Sequence, residues 1–279
     1  MFFMNSAEPR WELPMTVFRY LPPERVDTLE NETAVFTPPN RFNDPFEMSP
    51  VIAPVTSKSH LMQGLKEAEV REGVCDELAS LPRKKRRAHE RQIRKQAIAH
   101  LRKNAPVYAS QMQQDLPDEL SAVSGVLCFS SVKCSLLMWA HYADSHRGFL
   151  VAYDAGHREF RKLGRLELVT YTSERPVYDA TKGSATKAYL VKSPEWAYER
   201  EFRVFRLLRE CEMRTINGLD LYFVRLPRSC IKAVCLGTRI EPTIHKRISN
   251  LRASTPFRLF QARLHRKDFS LVFEEVNQL

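Results

Sequence analysis

Short apolar runs, each ended by proline or by polar turn residues, indicate that β-strands make up much of this chain. In the first part of the chain they predict strands over residues 17–21, 33–36, 125–129, 148–153 and 166–171. In the second part they predict strands over residues 198–208, 219–226, 231–236, 257–264 and 269–273. Short helices are predicted to start at Glu24 and to cover residues 136–143 and 240–251.

Residues 57–114 differ from the rest because their apolar positions recur with a helical period. One apolar stripe consists of Leu61, Leu65, Ala68, Val74, Leu78 and Leu81. Pro82 separates this helix from a second one, whose stripe consists of Ile93, Ala97, Ile98 and Leu101.

The order of these elements predicts the fold class. Strands and helices do not alternate regularly, and the sequence has neither G-x-G-x-x-G nor G-x-x-x-x-G-K-[ST], so a Rossmann or P-loop fold is not expected. We predict a single α+β domain over residues 1–279, with a curved, mostly antiparallel sheet flanked by helices. Residues 57–114 would form a helical insertion within it.

The composition is that of an ordinary globular protein. Of the 279 residues, 43% are hydrophobic and 27% are charged. No apolar run approaches the roughly 20 residues of a membrane-spanning helix, so no membrane association is expected. Residues 1–10 lack the order of a signal peptide, and the six cysteines are scattered. These features predict a cytoplasmic protein with reduced thiols.

The net charge of +10 is concentrated in two segments. Residues 81–110 contain ten Lys or Arg and one Glu, and residues 225–268 contain eleven Lys or Arg and two acidic residues. Basic surfaces at 83–103 and 225–267 are therefore predicted to contact an anionic partner such as nucleic acid. The alternative is that these charges form the solvated faces of ordinary elements. The oligomeric state does not follow from this pattern.

The segment Glu199-Arg200-Glu201 is the sharpest candidate for chemistry. In a strand, residues two apart lie on one face, so both carboxylates are predicted to point the same way. Such a pair raises the pKa of at least one member unless a cation intervenes, which suits catalysis. The structural alternative is that Arg203 neutralises Glu201 on that face and Arg200 pairs across strands.

Further candidate site residues lie at the end of the predicted strand 125–129 and on the helix that follows it. Ser130 ends the strand before the helix 136–143, and His141 and Tyr142 occupy the last turn of that helix. Adjacent helical residues point about 100° apart, so His141 and Tyr142 are not expected to face one site together. The alternatives are a capping role for the serine and a packing role for the histidine.

Four more candidates lie near the start of the chain. Arg19 and Tyr20 belong to the first predicted strand, and Asn43 and Asp44 belong to a turn-rich loop over residues 40–47. An Arg within an apolar strand needs a partner, either a carboxylate or a bound phosphate. The sequence has no C-x-x-C, no H-E-x-x-H and no histidine cluster, so no metal site is predicted.

Four motifs identify a related family. They are FNDPFE (residues 42–47), CFS (128–130), LMWAHYADSHRGF (137–149) and KSPEWAYEREFR (192–203). Together they resemble the bacterial domain-of-unknown-function family 2971, over residues 18 to about 237. This family has no established activity. Some relatives are described as abortive-infection proteins, which implies a toxin-like role in phage defence.

The chain also resembles the ADP-ribosyltransferase superfamily in the order and type of a few residues. Arg19 on the first strand, Ser130 at a strand end, Tyr142 on the following helix and Glu199-x-Glu201 on a late strand carry this resemblance. It implies an α+β transferase fold, with NAD as the substrate and cleavage of the nicotinamide–ribose bond.

The same resemblance implies residue roles. Glu201 would contact the ribose hydroxyl and stabilise the oxocarbenium-like transition state, and Glu199 would orient or deprotonate the acceptor. Arg19 would contact the NAD phosphate or the adenosine ribose, Ser130 would shape the pocket, and Tyr142 would stack on nicotinamide. Tyr20 and His141 are assigned to the same NAD site, and Asn43 and Asp44 to substrate binding.

Two other functions are consistent with the sequence. A nucleic-acid-binding or metal-dependent nucleic-acid-cleaving defence protein would place its basic segments on the backbone, with Asp44, Glu199 and Glu201 holding a divalent ion. A non-catalytic interaction module would use the motifs for structure only.

Overall fold

The protein is described by a computed structural model that covers residues 16–72, 82–179, 181, 185–255 and 257–276. Its strands are β1 (Thr16–Leu21), β2 (Thr33–Phe36), β3 (Val51–Ile52), β4 (Ser124–Ser130), β5 (Phe149–Asp154), β6 (Glu167–Leu168), β7 (Thr170–Tyr171), β8 (Val177–Tyr178), β9 (Val191–Lys192), β10 (Glu201–Leu207), β11 (Glu212–Ile216), β12 (Leu219–Arg225), β13 (Ile231–Leu236), β14 (Arg258–Leu264) and β15 (Leu271–Glu275).

The α-helices are α1 (Val26–Glu30), α2 (Lys58–Glu72), α3 (Arg83–Val123), α4 (Leu136–Tyr142), α5 (Arg158–Arg161) and α6 (Pro242–Leu251). Among the described helices, none combines the length and the apolar composition that crossing a membrane requires. The predicted stripe positions Val74, Leu78 and Leu81 lie outside the described residues.

An eight-stranded sheet forms the centre of the fold, in the order β15-β14-β13-β5-β1-β4-β10-β6. Its neighbouring strands are antiparallel, except that β13 and β14 run parallel. Helix α6 lies between these two strands in the chain and provides the crossover that a parallel pair requires. A smaller sheet has the order β11-β12-β2, and β3-β8 and β7-β9 form two short pairs. The predicted α+β class is therefore confirmed.

Strands β1 and β4 are neighbours that diverge. Phe18 and Ser130 form the register pair between them, whereas β1 pairs with β5 from Thr16 to Leu21 and β4 pairs with β10 along its whole length. Side chains from both strands can therefore enter the space that opens beside the Phe18–Ser130 pair. We call this space the β1–β4 gap.

The alternation of side chains along β10 separates the apolar core from a charged face. Phe202 and Val204 are buried in the larger apolar cluster, together with Leu127 and Phe129 of β4. Glu201 and Arg203 lie on the opposite face of the strand, and both are also buried. A second apolar cluster packs α4 against β1, β5 and β13 around the fully buried Trp139.

Helix α3 extends nine residues beyond the predicted end at Gln114. Its 41 residues correspond to about 60 Å, and they include Pro106 and Pro117, which usually interrupt a helix. A tertiary contact holds the last turns, because the Asn40 N–H donates to Ser121 Oγ (2.8 Å). Within the helix, Ser121 Oγ donates to the Pro117 carbonyl (2.6 Å). The local sequence pattern does not predict the contact between Asn40 and the end of α3.

Three predicted strands differ clearly from the structure, one of them being the strand predicted over residues 269–273, which is β15 and lies two residues later. Residues 166–171 form β6, which pairs with β10, and β7, which pairs with β9 in a different sheet. Val169 between them donates its N–H to the Glu201 carbonyl (3.0 Å). The strand predicted from Tyr198 begins at Glu201, since residues 194–199 form a 3-10 helix. Arg200 between them has a left-handed backbone (φ 43°, ψ 58°). Strand β11, with mostly exposed residues, is absent from the prediction.

Gly148 allows β5 to approach the end of β1. A Cβ atom at this position would lie 2.0 Å from the Leu21 carbonyl oxygen and 3.0 Å from Pro22 Cα. Both are backbone atoms, which cannot rotate away. We expect Gly148→Ala to lower the free energy of unfolding by about 3 kcal/mol, measured by urea denaturation.

Gly64→Ala is the matched control, because nothing lies within 4 Å of a Cβ at this exposed position of α2. It should raise the free energy of unfolding by about 0.5–1 kcal/mol, through the better helix propensity of alanine. Equal stability of the two variants would contradict the close packing of β1 and β5.

Candidate active site

A cavity of about 310 Å³ lies at the β1–β4 gap. The loop after β2, the end of α4 and the segment from β9 to β10 complete its wall. Its polar and aromatic lining residues include Arg19, Tyr20, Arg25, Arg41, Phe42, Asn43, Glu47, Cys128, Ser130, Tyr142, Lys192, Glu199 and Glu201. The four sequence motifs therefore converge on one cavity, although they are far apart in the chain.

Arg203 organises the deepest part of the site. Its Nε and Nη2 atoms donate to the two carboxylate oxygens of Glu201 (2.9 and 2.8 Å), and Nη2 also donates to Glu47. Its Nη1 atom donates to the Tyr189 carbonyl (2.8 Å). The expectation that Arg203 neutralises Glu201 on the same face of the strand is confirmed. Arg200, the other expected partner, is exposed.

Lys192 is the second buried cation. Its Nζ atom lies 2.7 Å from Glu199, 3.3 Å from Glu47 and 3.5 Å from Glu201. It also lies 4.6 Å from the centroid of the Trp196 ring. Its side chain is 4% exposed, so the three carboxylates replace most of its water. We refer to Glu47, Lys192, Glu199, Glu201 and Arg203 as the charge cluster.

Glu199 reaches the cluster by a route that the sequence did not predict. It does not share a strand face with Glu201, because it ends the 3-10 helix and the left-handed Arg200 turns the chain before β10. The two carboxylates nevertheless meet around Lys192. The second carboxylate oxygen of Glu199 accepts a hydrogen bond from the Tyr142 hydroxyl (2.5 Å).

Burial and charge set the protonation of the cluster. Burial alone would raise the pKa of Glu201, but Arg203 and Lys192 hold it below its usual range. Burial alone would lower the pKa of Lys192, but the three carboxylates raise it above its usual range, so the ammonium stays charged. Burial raises the pKa of Glu47 to about 7, against the opposing effect of Arg203. The cluster therefore takes up a proton near neutral pH.

Arginine side chains form another part of the cavity wall. Arg19 Nη2 donates to the Val35 carbonyl (3.2 Å), and no carboxylate of the described residues forms an ion pair with it. Burial lowers the pKa of this guanidinium, since its charge has lost water without gaining an anion. Arg25 and Arg41 line the same cavity. A bound anion would supply the partner that Arg19 lacks.

The remaining predicted residues divide into lining and supporting positions. Ser130 Oγ donates to the Glu199 carbonyl (2.5 Å) and accepts from the Val132 N–H (3.0 Å), so it fixes the backbone beside the cluster. Tyr20 lines the cavity, and its hydroxyl donates to the Val132 carbonyl (2.9 Å).

His141 and Tyr142 point in different directions, as expected. Tyr142 lines the cavity, whereas His141 is exposed, with Nδ1 3.0 Å from the Tyr198 hydroxyl. Asn43 lines the cavity. Asp44 does not, and its carboxylate accepts from the Phe46 N–H (2.9 Å) in a turn.

Sequence reasoning missed Glu47 and Lys192 as site residues. Both occur in the motifs that carry the family resemblance, Glu47 at the end of FNDPFE and Lys192 at the start of KSPEWAYEREFR. Neither has a local pattern that distinguishes it from a surface residue. Membership in those motifs is the one sequence feature that could have identified them as site residues.

The carboxylates are arranged around side-chain cations. Lys192 occupies the position that a divalent ion would take between Glu199 and Glu201, and Arg203 lies between Glu201 and Glu47. In the described part of the chain, no group of three or more His, Cys, Asp or Glu residues is placed to hold a metal ion. Asp44, the third residue of the suggested metal set, instead serves its own turn.

Comparison with known proteins agrees with the motifs. The model of a family described as "Protein of unknown function (DUF2971)" matches residues 138–204. This interval contains α4 from Met138 onward and the segment from Lys192 to Arg203, so the resemblance to that family is confirmed there. No curated protein and no solved structure matches the chain. The resemblance to ADP-ribosyltransferases stays a prediction.

The charge cluster makes stability depend on pH. The pKa of Glu47 is about 7 in the folded protein, against about 4.3 in an unfolded chain. Between these values the folded protein holds a proton that the unfolded chain has lost, so raising the pH favours unfolding. We expect Glu47→Gln to remove a decline of about 2–3 kcal/mol in unfolding free energy between about pH 5 and pH 8.

Urea titrations at several pH values would measure this effect as the difference between wild type and variant. Glu195→Gln is the control, because this carboxyl is exposed on the neighbouring 3-10 helix and should leave the wild-type slope unchanged. If Glu47→Gln also kept the wild-type slope, the assigned proton uptake would be wrong.

Proposed function

We propose that this protein cleaves the bond between nicotinamide and ribose in NAD and passes the ADP-ribose to water or to an acceptor. The observation that carries the proposal is the composition of one cavity. It is lined by an arginine that has no anionic partner among the described residues, a tyrosine held by a carboxylate and a buried pair of glutamates. NAD offers a complementary set of groups, namely a pyrophosphate, a flat cationic ring and ribose hydroxyls. The family resemblance adds phage defence as the setting.

Arg19 would bind the pyrophosphate. Its guanidinium is partly buried at the β1–β4 gap and bonded to one backbone carbonyl, which leaves further N–H donors for phosphate oxygens. Arg25 and Arg41 line the same cavity and would add positive charge. Charge-assisted hydrogen bonds of this kind are about twice as strong as neutral ones.

Tyr142 would place the nicotinamide ring. Burial and Glu199 raise the pKa of its phenol, so the hydroxyl remains protonated and keeps its bond to Glu199. That bond fixes the tyrosine ring in the cavity wall before any ligand arrives. Stacking on a fixed aromatic face suits a flat ring such as nicotinamide.

The two glutamates would divide the chemical work. Both oxygens of Glu201 already accept from Arg203, so Glu201 would hold Lys192 and the ribose pocket in place and contact a ribose hydroxyl from there. Glu199 has one oxygen on Tyr142 and one on Lys192. Its carboxylate would stabilise the positive charge that develops on the ribose as the bond breaks.

The proposed reaction balances without a further reagent. The bond between ribose C1′ and the nicotinamide nitrogen breaks, and its electron pair leaves with nicotinamide. A water or acceptor hydroxyl then forms a new bond to C1′, and its proton passes to a carboxylate of the cluster. Hydrolysis therefore gives nicotinamide, ADP-ribose and one proton.

Nicotinamide release from NAD by the purified protein tests the proposal. We expect Glu199→Gln to reduce release by about 100-fold or more, since the amide cannot stabilise the developing charge. Glu195→Gln, four residues away and exposed, should retain the wild-type rate. Circular dichroism and thermal melts should show that both variants are folded.

Two results would overturn the proposal. One is the absence of nicotinamide release and of NAD binding by the folded wild-type protein, with and without RNA or DNA as acceptor. The other is unchanged release by Glu199→Gln.

Arg19 provides an independent test of the anion site. We expect Arg19→Gln to raise the KM for NAD by about 10–100-fold with a smaller change in kcat, because charge-assisted bonds to phosphate are lost. Arg19→Lys should recover part of the affinity. Arg209→Gln, at an exposed arginine, is the control. An unchanged KM in Arg19→Gln would show that phosphate does not bind at Arg19.

A further inference from the structure

The two basic segments of the chain differ in how many of their basic side chains pair with acidic residues. In the segment 225–267, many basic side chains pair with acidic residues from other parts of the chain. These pairs are Arg228–Glu32, Lys232–Asp154, Arg247–Glu30, Arg258–Glu275 and Arg263–Glu274. Much of the positive charge in this segment is therefore balanced within the fold.

Four basic residues in the first turns of α3 have no acidic partner among the described residues. Lys84, Arg87, Arg91 and Lys95 are exposed, and none of them forms an ion pair within the described part of the chain. The ion pair found among these turns joins Arg86 to Glu90 (3.7 Å) on another side of the helix. Among the described residues, the positive charges of Lys84, Arg87, Arg91 and Lys95 therefore face water without an acidic partner.

These four residues form one stripe. Their separations of three, four and four residues place them on the same face of a helix. They cover about 17 Å of helix axis, with a charge every 4.5–6 Å or so. We call this face the α3 basic stripe.

We infer that the α3 basic stripe binds the phosphate backbone of nucleic acid. A polynucleotide presents phosphates at about 3.4 Å intervals along each duplex strand, so a continuous row of charges can meet the whole stripe. A membrane surface fits less well, because a membrane-bound helix needs an apolar face opposite its basic one. Within residues 83–103 that opposite face consists of His89, Ile93, Gln96 and His100.

The same helix also holds the wall of the cavity. Beyond the stripe, Gln113 Oε1 accepts from the Ile52 N–H (3.3 Å), and Ser121 and Asp118 bond to Asn40 (2.8 and 3.4 Å). Asn40 begins the loop that carries Glu47 into the charge cluster. Bound nucleic acid would therefore share one rigid element with this loop. The inference does not depend on cleavage of NAD.

Fluorescence anisotropy with labelled 20-base-pair DNA and RNA duplexes, titrated at several salt concentrations, tests the inference without NAD. The variant is Lys84→Gln/Arg87→Gln/Arg91→Gln/Lys95→Gln. Losing four phosphate contacts should reduce the slope of log K against log salt by about 3–4. At low salt we expect the affinity to fall by at least 100-fold.

The control variant is Lys232→Gln/Arg247→Gln/Arg258→Gln/Arg263→Gln, which has the same net charge but loses residues that are paired in the fold. It should bind within about threefold of wild type. Circular dichroism should show unchanged helix content in both variants.

Three outcomes would overturn the inference. The first is an equal loss of affinity in the two variants, which would indicate a general charge effect. The second is no binding of either duplex by the wild type at low salt. The third is binding to phosphatidylserine vesicles in place of nucleic acid, with the same dependence on the α3 basic stripe.

Discussion

The burial of three carboxylates around two cations is the constraint on which the rest of the structure depends. Glu47, Glu199 and Glu201 would each be costly to bury alone, and Lys192 and Arg203 make their burial tolerable by bonding to them directly. This arrangement requires two distant parts of the chain to meet: the loop after β2, and the continuous segment formed by strand β9, the 3-10 helix and strand β10. Losing either cation would leave unbalanced charge inside the protein.

Much of the fold could be predicted from the sequence, because its strands and helices follow local patterns of apolar and polar residues. Strands β2 and β13 have the predicted bounds, β1 differs by one residue at its start, and β4 and β5 differ by one residue at each end. Predictions failed where distant contacts override local preference. Helix α3 continues through Pro117 because the loop after β2 holds its last turns, and residues 166–171 split between two sheets.

The candidate site was predictable only in part. Arg19, Ser130, Tyr142, Glu199 and Glu201 do line one cavity, and Arg203 does neutralise Glu201. The predicted geometry of Glu199 was wrong, because the left-handed backbone conformation of Arg200 cannot be inferred from its residue type. Lys192 was missed because it looks like any of the 43 Lys and Arg residues, and burial is decided by the fold.

The long sequence separation within the cluster also bears on synthesis of the chain. Glu47 and Arg203 are 156 residues apart, and Arg203 lies on a strand that pairs with β4. A nascent chain on the ribosome therefore cannot complete the cluster until most of the protein has been translated. Fragments that end before β9 contain Glu47 but none of its charged partners. Any activity of the site therefore requires a chain that extends through β10, so shorter products of translation would be inert.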